Sequence, residues 1–273
     1  MNYLSIMRCL LLSKRNFQMT PFLETAIKAA EAAQDVINKY YAGDFEIEIK
    51  PDETPVTVAD VETEKTIKKI ILDAFPDHGF FGEETGKVNE DAEYNWLIDP
   101  IDGTKSFVRG YPFFSTQIAL MHKGELILGV SNSPEFKELA YAEKGYGAWL
   151  NGEKISVSDI DTIKKSTLSL GNIGSIATKP QWQNVGDLVS SVNRIRGYGD
   201  FYHYHLLASG KIELILESDV NILDIAALAV IVREAGGTFT DLSGNELSLE
   251  TTTVLAANNN DIHKKILKDI SYS

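Results

Sequence analysis

From Thr20 onward the apolar positions recur with a helical period. Leu23, Ile27, Ala30, Ile37 and Tyr40 fall on one face, Thr20 stands where a cap belongs, and Pro21 suits the first helical position. A turn-rich stretch, Lys50-Pro51-Asp52-Glu53-Thr54-Pro55, leads through Val56-Thr57-Val58-Ala59-Asp60 into a second helix carrying Ile67, Ile70, Ile71 and Ala74, closed by Pro76 and Gly79. Between residues 95 and 157 the period shortens to two. Strands are expected at 96–98, 114–122, 125–131 and 139–142, with Gly124 and Asn151-Gly152 as hairpin turns. The chain then alternates: strand at 167–170, helices at 183–192 and 201–209, strand at 212–216. A further helix-containing stretch opens at Asp224 and stops at Gly236-Gly237, followed by a strand at 238–240 and a turn at Ser243-Gly244. Interleaved helices and strands predict stacked α and β layers.

The 273 residues, 44% hydrophobic, are enough for a substantial core. A formal charge of −13, from 39 acidic and 26 basic residues, argues against a nucleic-acid partner, which needs clustered Lys and Arg. No stretch approaches the length of a membrane span. The single cysteine, Cys9, excludes an intrachain disulfide and fits a reducing cytoplasm. Residues 1–19 hold a short apolar run broken by Arg8 and are expected to be a disordered extension, or the product of a start codon placed too early, with Met19 opening the folded part.

Three acidic segments change the picture. Gly82-Glu83-Glu84-Thr85-Gly86 follows the apolar Phe80-Phe81, where the chain leaves a buried strand. In Trp96-Leu97-Ile98-Asp99-Pro100-Ile101-Asp102-Gly103-Thr104 a buried strand ends in two aspartates, with Pro100 and Gly103 expected to fix a sharp turn. That turn would bring both carboxylates and the Ile101 carbonyl to one point, a donor set suited to a hard cation such as magnesium. The third segment is Leu223-Asp224-Ile225-Ala226-Ala227. Asp224 and Asp60 both stand at expected N-cap positions, and taken singly each is better explained as a cap. A capped helix start also presents backbone N–H groups that favour phosphate.

Together these segments, with Gly236-Gly237 downstream, resemble the inositol monophosphatase family from Thr20 to the C-terminus. The resemblance implies an α/β fold, the αβαβα sandwich of the inositol monophosphatase and fructose-bisphosphatase type. It divides the chain into an N-terminal α+β metal-binding half, 20–158, and a C-terminal α/β half, 159–273, completing the active site. The implied activity is hydrolysis of a small phosphate ester with two or three magnesium ions and no phosphoenzyme, in a cytoplasmic homodimer. Carried over by position, Glu83, Asp99 and the Ile101 carbonyl would hold one ion and Asp99, Asp102 and Asp224 another. Asp60 and Thr104 would orient and deprotonate the attacking water, with Glu83 completing the catalytic set. Gly103 and Thr104 would donate N–H groups to the phosphate beside Asp102. One departure is Leu223, where the family carries tryptophan.

Two pointers to substrate disagree. Glu217 occupies the position from which inositol monophosphatases reach substrate hydroxyls. The runs Lys105-Ser106-Phe107-Val108-Arg109-Gly110 and Gly199-Asp200-Phe201-Tyr202-His203-Tyr204 instead resemble the histidinol-phosphatase branch. There Asp200, with Glu217, would face a cationic amine; the plain alternative for Asp200 is a helix cap. Histidinol phosphate is favoured, with inositol 1-phosphate as the alternative. His203 and His205 are read as packing or surface residues, and Lys50 as a solvated turn residue. A catalytically silent metal-binding member and a calcium-binding structural protein are the rival classes, although every ligand position is intact.

Overall fold

A computed structural model describes residues 19–41, 47–49 and 55–271. The expected N-terminal extension, with Cys9, lies outside the described residues apart from Met19, as do Lys50 and turn residues 51–54.

Helices α1 (Pro21–Tyr41) and α2 (Val58–Ala74) flank a short antiparallel pair, β1 (Ile47–Ile49) and β2 (Pro55–Thr57). Next come β3 (Gly79–Gly82), β4 (Gly86–Val88), β5 (Tyr94–Asp102) and the short α3 (Thr104–Val108). A meander follows: β6 (Ser115–His122), β7 (Glu125–Ser133), β8 (Glu138–Glu143), β9 (Gly147–Leu150) and β10 (Glu153–Ile155). The remaining chain forms β11 (Thr167–Leu170), α4 (Gly174–Ala177), α5 (Trp182–Ser191), β12 (Arg194–Arg196), α6 (Asp200–Ala208) and β13 (Leu214–Ser218). It closes with α7 (Ile222–Glu234), β14 (Thr238–Thr240), β15 (Thr253–Ala257) and α8 (Asn260–Ile270).

An eight-stranded sheet, ordered β10-β9-β8-β7-β6-β5-β3-β4, is antiparallel except where β3 runs beside β5. A five-stranded sheet, β12-β11-β13-β15-β14, mixes both senses. α1 and α2 cover the outer face of the first sheet, α6 and α7 lie between the sheets, and α5 and α8 cover the second, giving the αβαβα layering.

Sequence explains each layer. The buried stripe of α1 is Leu23, Ala26, Ala29, Ala30, Ala33 and Ile37, so small side chains bring the helix close to the sheet. Ile27 and Tyr40, expected on that stripe, are half-buried at its margin. Thr20 does cap, accepting from Leu23 N at 3.2 Å. α7 is buried almost all round, as a helix between two sheets must be. It approaches β7 at Gly129, where a Cβ would stand 2.2 Å from the Ala227 carbonyl oxygen. Both expected hairpin turns form, with positive φ at Lys123-Gly124 and at Asn151-Gly152. The sequence reading assigns no element beyond Ser243-Gly244. The structure places there β15, paired on both sides, and α8, capped by Asn259.

Candidate active site

The site forms where strands and helices from both sheets end together. Parallel pairing sets Gly82 opposite Ile98, so Glu83 leaves β3 beside Asp99 of β5. Glu83 is exposed, whereas Asp99 is only 3% exposed. Glu64, which the sequence reading passes over, fixes the loop after Glu83: its buried carboxylate accepts the Glu84 and Thr85 N–H groups, each at 2.7 Å. The signal for it was present. Asp60, Glu64, Ile67 and Ile71 share the inward face of α2, and an acid on an apolar stripe needs a partner.

The two aspartates of β5 converge by a different device from the expected turn. The strand continues through Asp102, with Asp99 paired to Gln117 and Asp102 to Ser115, so β5 carries one extra residue. On a regular strand, residues three apart face opposite sides; this β-bulge turns both carboxylates to one face. Thr116 Oγ1 pins the bulge by donating to the Pro100 carbonyl at 2.9 Å. Gly103 then takes φ +88°, and a Cβ there would meet the Phe113 carbonyl oxygen at 2.4 Å, so glycine is required where the chain turns into α3.

Asp60 and Asp224 are not N-caps. Both occupy the third helical position in capping boxes whose caps are Thr57 and Asn221. The N-cap role goes to these residues because their side chains accept the Ala59 and Leu223 N–H groups. Asp60 Oδ2 accepts from Thr57 N and Oγ1, both at 2.7 Å, while Oδ1 faces the Thr104 hydroxyl at 3.3 Å. The same hydroxyl lies 3.0 Å from the Ile101 carbonyl oxygen, and its one hydrogen can serve either acceptor. Asp224 is held by Asn221, through backbone N at 2.9 Å and Nδ2 at 2.6 Å.

Asp99, Asp102 and Asp224 thus meet, each offering an oxygen within 4.8 Å of the others. Burial pushes Asp99 and Asp102 well above the usual carboxylate range, with Glu83 and Asp102 adding to the first and Asp224 and Asp200 to the second. Burial raises Asp224 to about 7 against the Asn221 N–H, and Glu83 adds to the rise. Asp60 is raised by burial, opposed by its Thr57 hydrogen bonds. Three mutually repelling carboxylates, Asp99 buried and Asp102 and Asp224 half-buried, form an all-oxygen donor set that fits a hard divalent cation.

Beside the triad a cleft is lined by Asp102, Asn172, Asp200, Tyr204, Glu217 and Asp224. Glu217 is anchored by Tyr204 OH (2.6 Å), His203 Nε2 (3.2 Å) and Asn172 N (3.2 Å). His203 is therefore a buried partner of a candidate site residue. His205, also buried, bonds to Glu138 and Ser131 away from the cleft. Asp200 caps nothing: the N-cap of α6 is Gly199, and no side chain makes the cap bond. Asp200 instead has φ +45°. Burial and then Glu217 raise it to about 6, with His203 opposing.

An αβαβα sandwich with this carboxylate cluster where its layers meet is a phosphoric monoester hydrolase. The chain belongs to the inositol monophosphatase family, whose model matches residues 18–273. It is 37% identical to a histidinol-phosphatase of Chlorobaculum parvum over 88% of this chain and 93% of the relative. It is 30% identical to inositol monophosphatase 1 of Bos taurus over 91% and 93%. Among solved structures, the extragenic suppressor protein SuhB of Bartonella henselae superposes with a TM-score of 0.84 at 27% identity, over 93% of this chain and all of that one.

Proposed function

We propose that the protein hydrolyses histidinol phosphate to histidinol and phosphate, using magnesium held by Glu83, Asp99, the Ile101 carbonyl, Asp102 and Asp224. Two or three magnesium ions held by these residues would supply Lewis-acid charge for activating a water near neutral pH and for stabilising a leaving alkoxide. The Thr104 hydroxyl and Asp60 Oδ1, 3.3 Å apart, orient the attacking water and take its proton. Gly103 and Thr104 present backbone N–H groups to the phosphate, and in-line attack follows from positioning.

The observation that carries the substrate reading is the acidic cleft. Asp200 and Glu217 both line it beside Asp102, and Asp200 keeps a strained backbone without any capping bond to account for it. Two acids lining the same cleft as Asp102 and Asp224 suit a cationic amine on the alcohol. The second reading is inositol 1-phosphate, favoured by Glu217 alone and by the inositol monophosphatase relative. We also take the enzyme to be cytoplasmic, which a single cysteine suits, and homodimeric, as the family resemblance implies.

The test is phosphate release from histidinol phosphate and inositol 1-phosphate, with and without magnesium, for the unaltered protein and Asp200→Asn. A lost charge-assisted hydrogen bond, about 1.5–3 kcal/mol, should cost roughly tenfold to a hundredfold in relative kcat/KM for histidinol phosphate and spare inositol 1-phosphate. Equal effects on both substrates would move the inositol reading ahead.

A further inference from the structure

Ser115 and Gln117 take no part in the chemistry above, yet both are fully buried beside it. Directly opposed residues of antiparallel strands project from the same face. Leu97 and Ala119 lie opposite each other in the core under α7, while Ile98 and Ile118 do so in the core under α1 and α2. By alternation Asp99 and Gln117 belong to the α7 face, the one that meets Asp224, and the bulge returns Asp102 and Ser115 to it. On that face Ser115 Oγ donates to Asp102 Oδ2 at 3.3 Å, and Gln117 Nε2 donates to Ser115 Oγ at 2.8 Å. The amide nitrogen is committed to the serine, and Gln117 Oε1 is buried without a hydrogen-bond partner among the described residues. Such an oxygen is costly, because nothing offsets its desolvation.

We propose that Ser115 and Gln117 are positioning residues of the cation site: their relay fixes the Asp102 carboxylate. The inference rests on the reading of Asp99, Asp102 and Asp224 as magnesium ligands. Outer partners of ligand groups tune metal affinity by about 10–100-fold. Neither residue belongs to the motifs that carry the family resemblance.

The experiment titrates magnesium into the metal-free, full-length protein by calorimetry and follows thermal unfolding with and without the ion. It compares Ser115→Ala, Gln117→Met, the double variant and Asp102→Asn. Each single substitution is expected to weaken magnesium binding by about tenfold or more. The double variant should lose little beyond Ser115→Ala, because groups acting in series are not additive. Metal-free Gln117→Met should unfold no lower than the unaltered protein, since methionine fills similar volume without the orphaned oxygen. The magnesium affinity of Gln117→Met then decides the matter even if Ser115→Ala folds poorly. Unaltered affinity in Gln117→Met, beside lost affinity in Asp102→Asn, would overturn the relay and leave the cation site standing. Additive losses in the double variant would also overturn it. Undiminished binding by Asp102→Asn would instead sink the cation-site reading on which the relay depends.

Discussion

At the scale of single residues, the site divides labour through which oxygen of each carboxylate is already taken. Asp60 Oδ2 is bound twice by Thr57, so only Oδ1 is left to act with Thr104. The hydroxyl of Thr104 touches Asp60 and the Ile101 carbonyl; only the latter is in the proposed ligand set, and it is a backbone oxygen that Thr104→Ala leaves in place. Thr104→Ala should therefore lower kcat by about 10²–10⁴-fold, the usual worth of positioned general acid–base catalysis, and leave magnesium affinity close to normal. Thr104→Ser should restore much of the rate, because the hydroxyl returns. Steady-state kinetics beside calorimetric titration checks this. A loss of metal binding in Thr104→Ala as large as that in Asp99→Asn would show the roles to be wrongly assigned.

At the scale of elements, two helices deliver acids to the site with the same local device. Each begins in a capping box, and the acid at its third position is oriented by the residue that caps the helix. Asn221 makes this visible: its Oδ1 accepts Leu223 N while its backbone N and Nδ2 hold Asp224. Asn221→Ala removes both services of the side chain. It should cost about 1 kcal/mol in urea unfolding and raise the magnesium concentration needed for half-maximal rate, whereas Asn221→Ser should keep most of the cap. Normal magnesium dependence in Asn221→Ala would mean that the backbone N–H alone suffices to aim Asp224.

Over the whole molecule, folding brings carboxylates from β5 and α7, one buried and two half-buried, within 4.8 Å of one another, with Glu83, Asp200 and Glu217 adding negative field. Repulsion of that kind stabilises nothing in the metal-free chain; it is offset when a cation binds. Asp102→Asn should therefore unfold at a higher temperature than the unaltered protein when both are metal-free, and should be inactive. The unaltered protein should gain stability with magnesium, by about 2.7 kcal/mol at a hundred times the dissociation constant, and Asp102→Asn should lose most of that gain. Differential scanning fluorimetry with and without the ion reads both effects. A lower metal-free melting temperature in Asp102→Asn would mean that the Ser115 hydrogen bond to Asp102 outweighs the repulsion.

What depends on neighbours along the chain was legible before folding is considered. Helical periodicity marked α1 and α2, alternation marked β5 to β8, and Asn151-Gly152 marked a hairpin, because side-chain spacing and turn chemistry are local. The acidic motifs named Glu83, Asp99, Asp102 and Asp224, and three of these four meet within 4.8 Å. Packing decided the rest. Whether Asp99 and Asp102 share a face turned on one extra residue in the pairing of β5 with β6, and a pairing register is not written in either strand alone. Whether Asp200 caps α6 or lines a cleft turned on where Glu217 of β13 arrives beside it. β15 and α8 went unread because a short apolar run takes its meaning from the strands that enclose it. Glu64, Ser115 and Gln117 gained their roles only when a loop or a carboxylate from elsewhere was laid against them, since a buried polar group is defined by the partner that folding supplies.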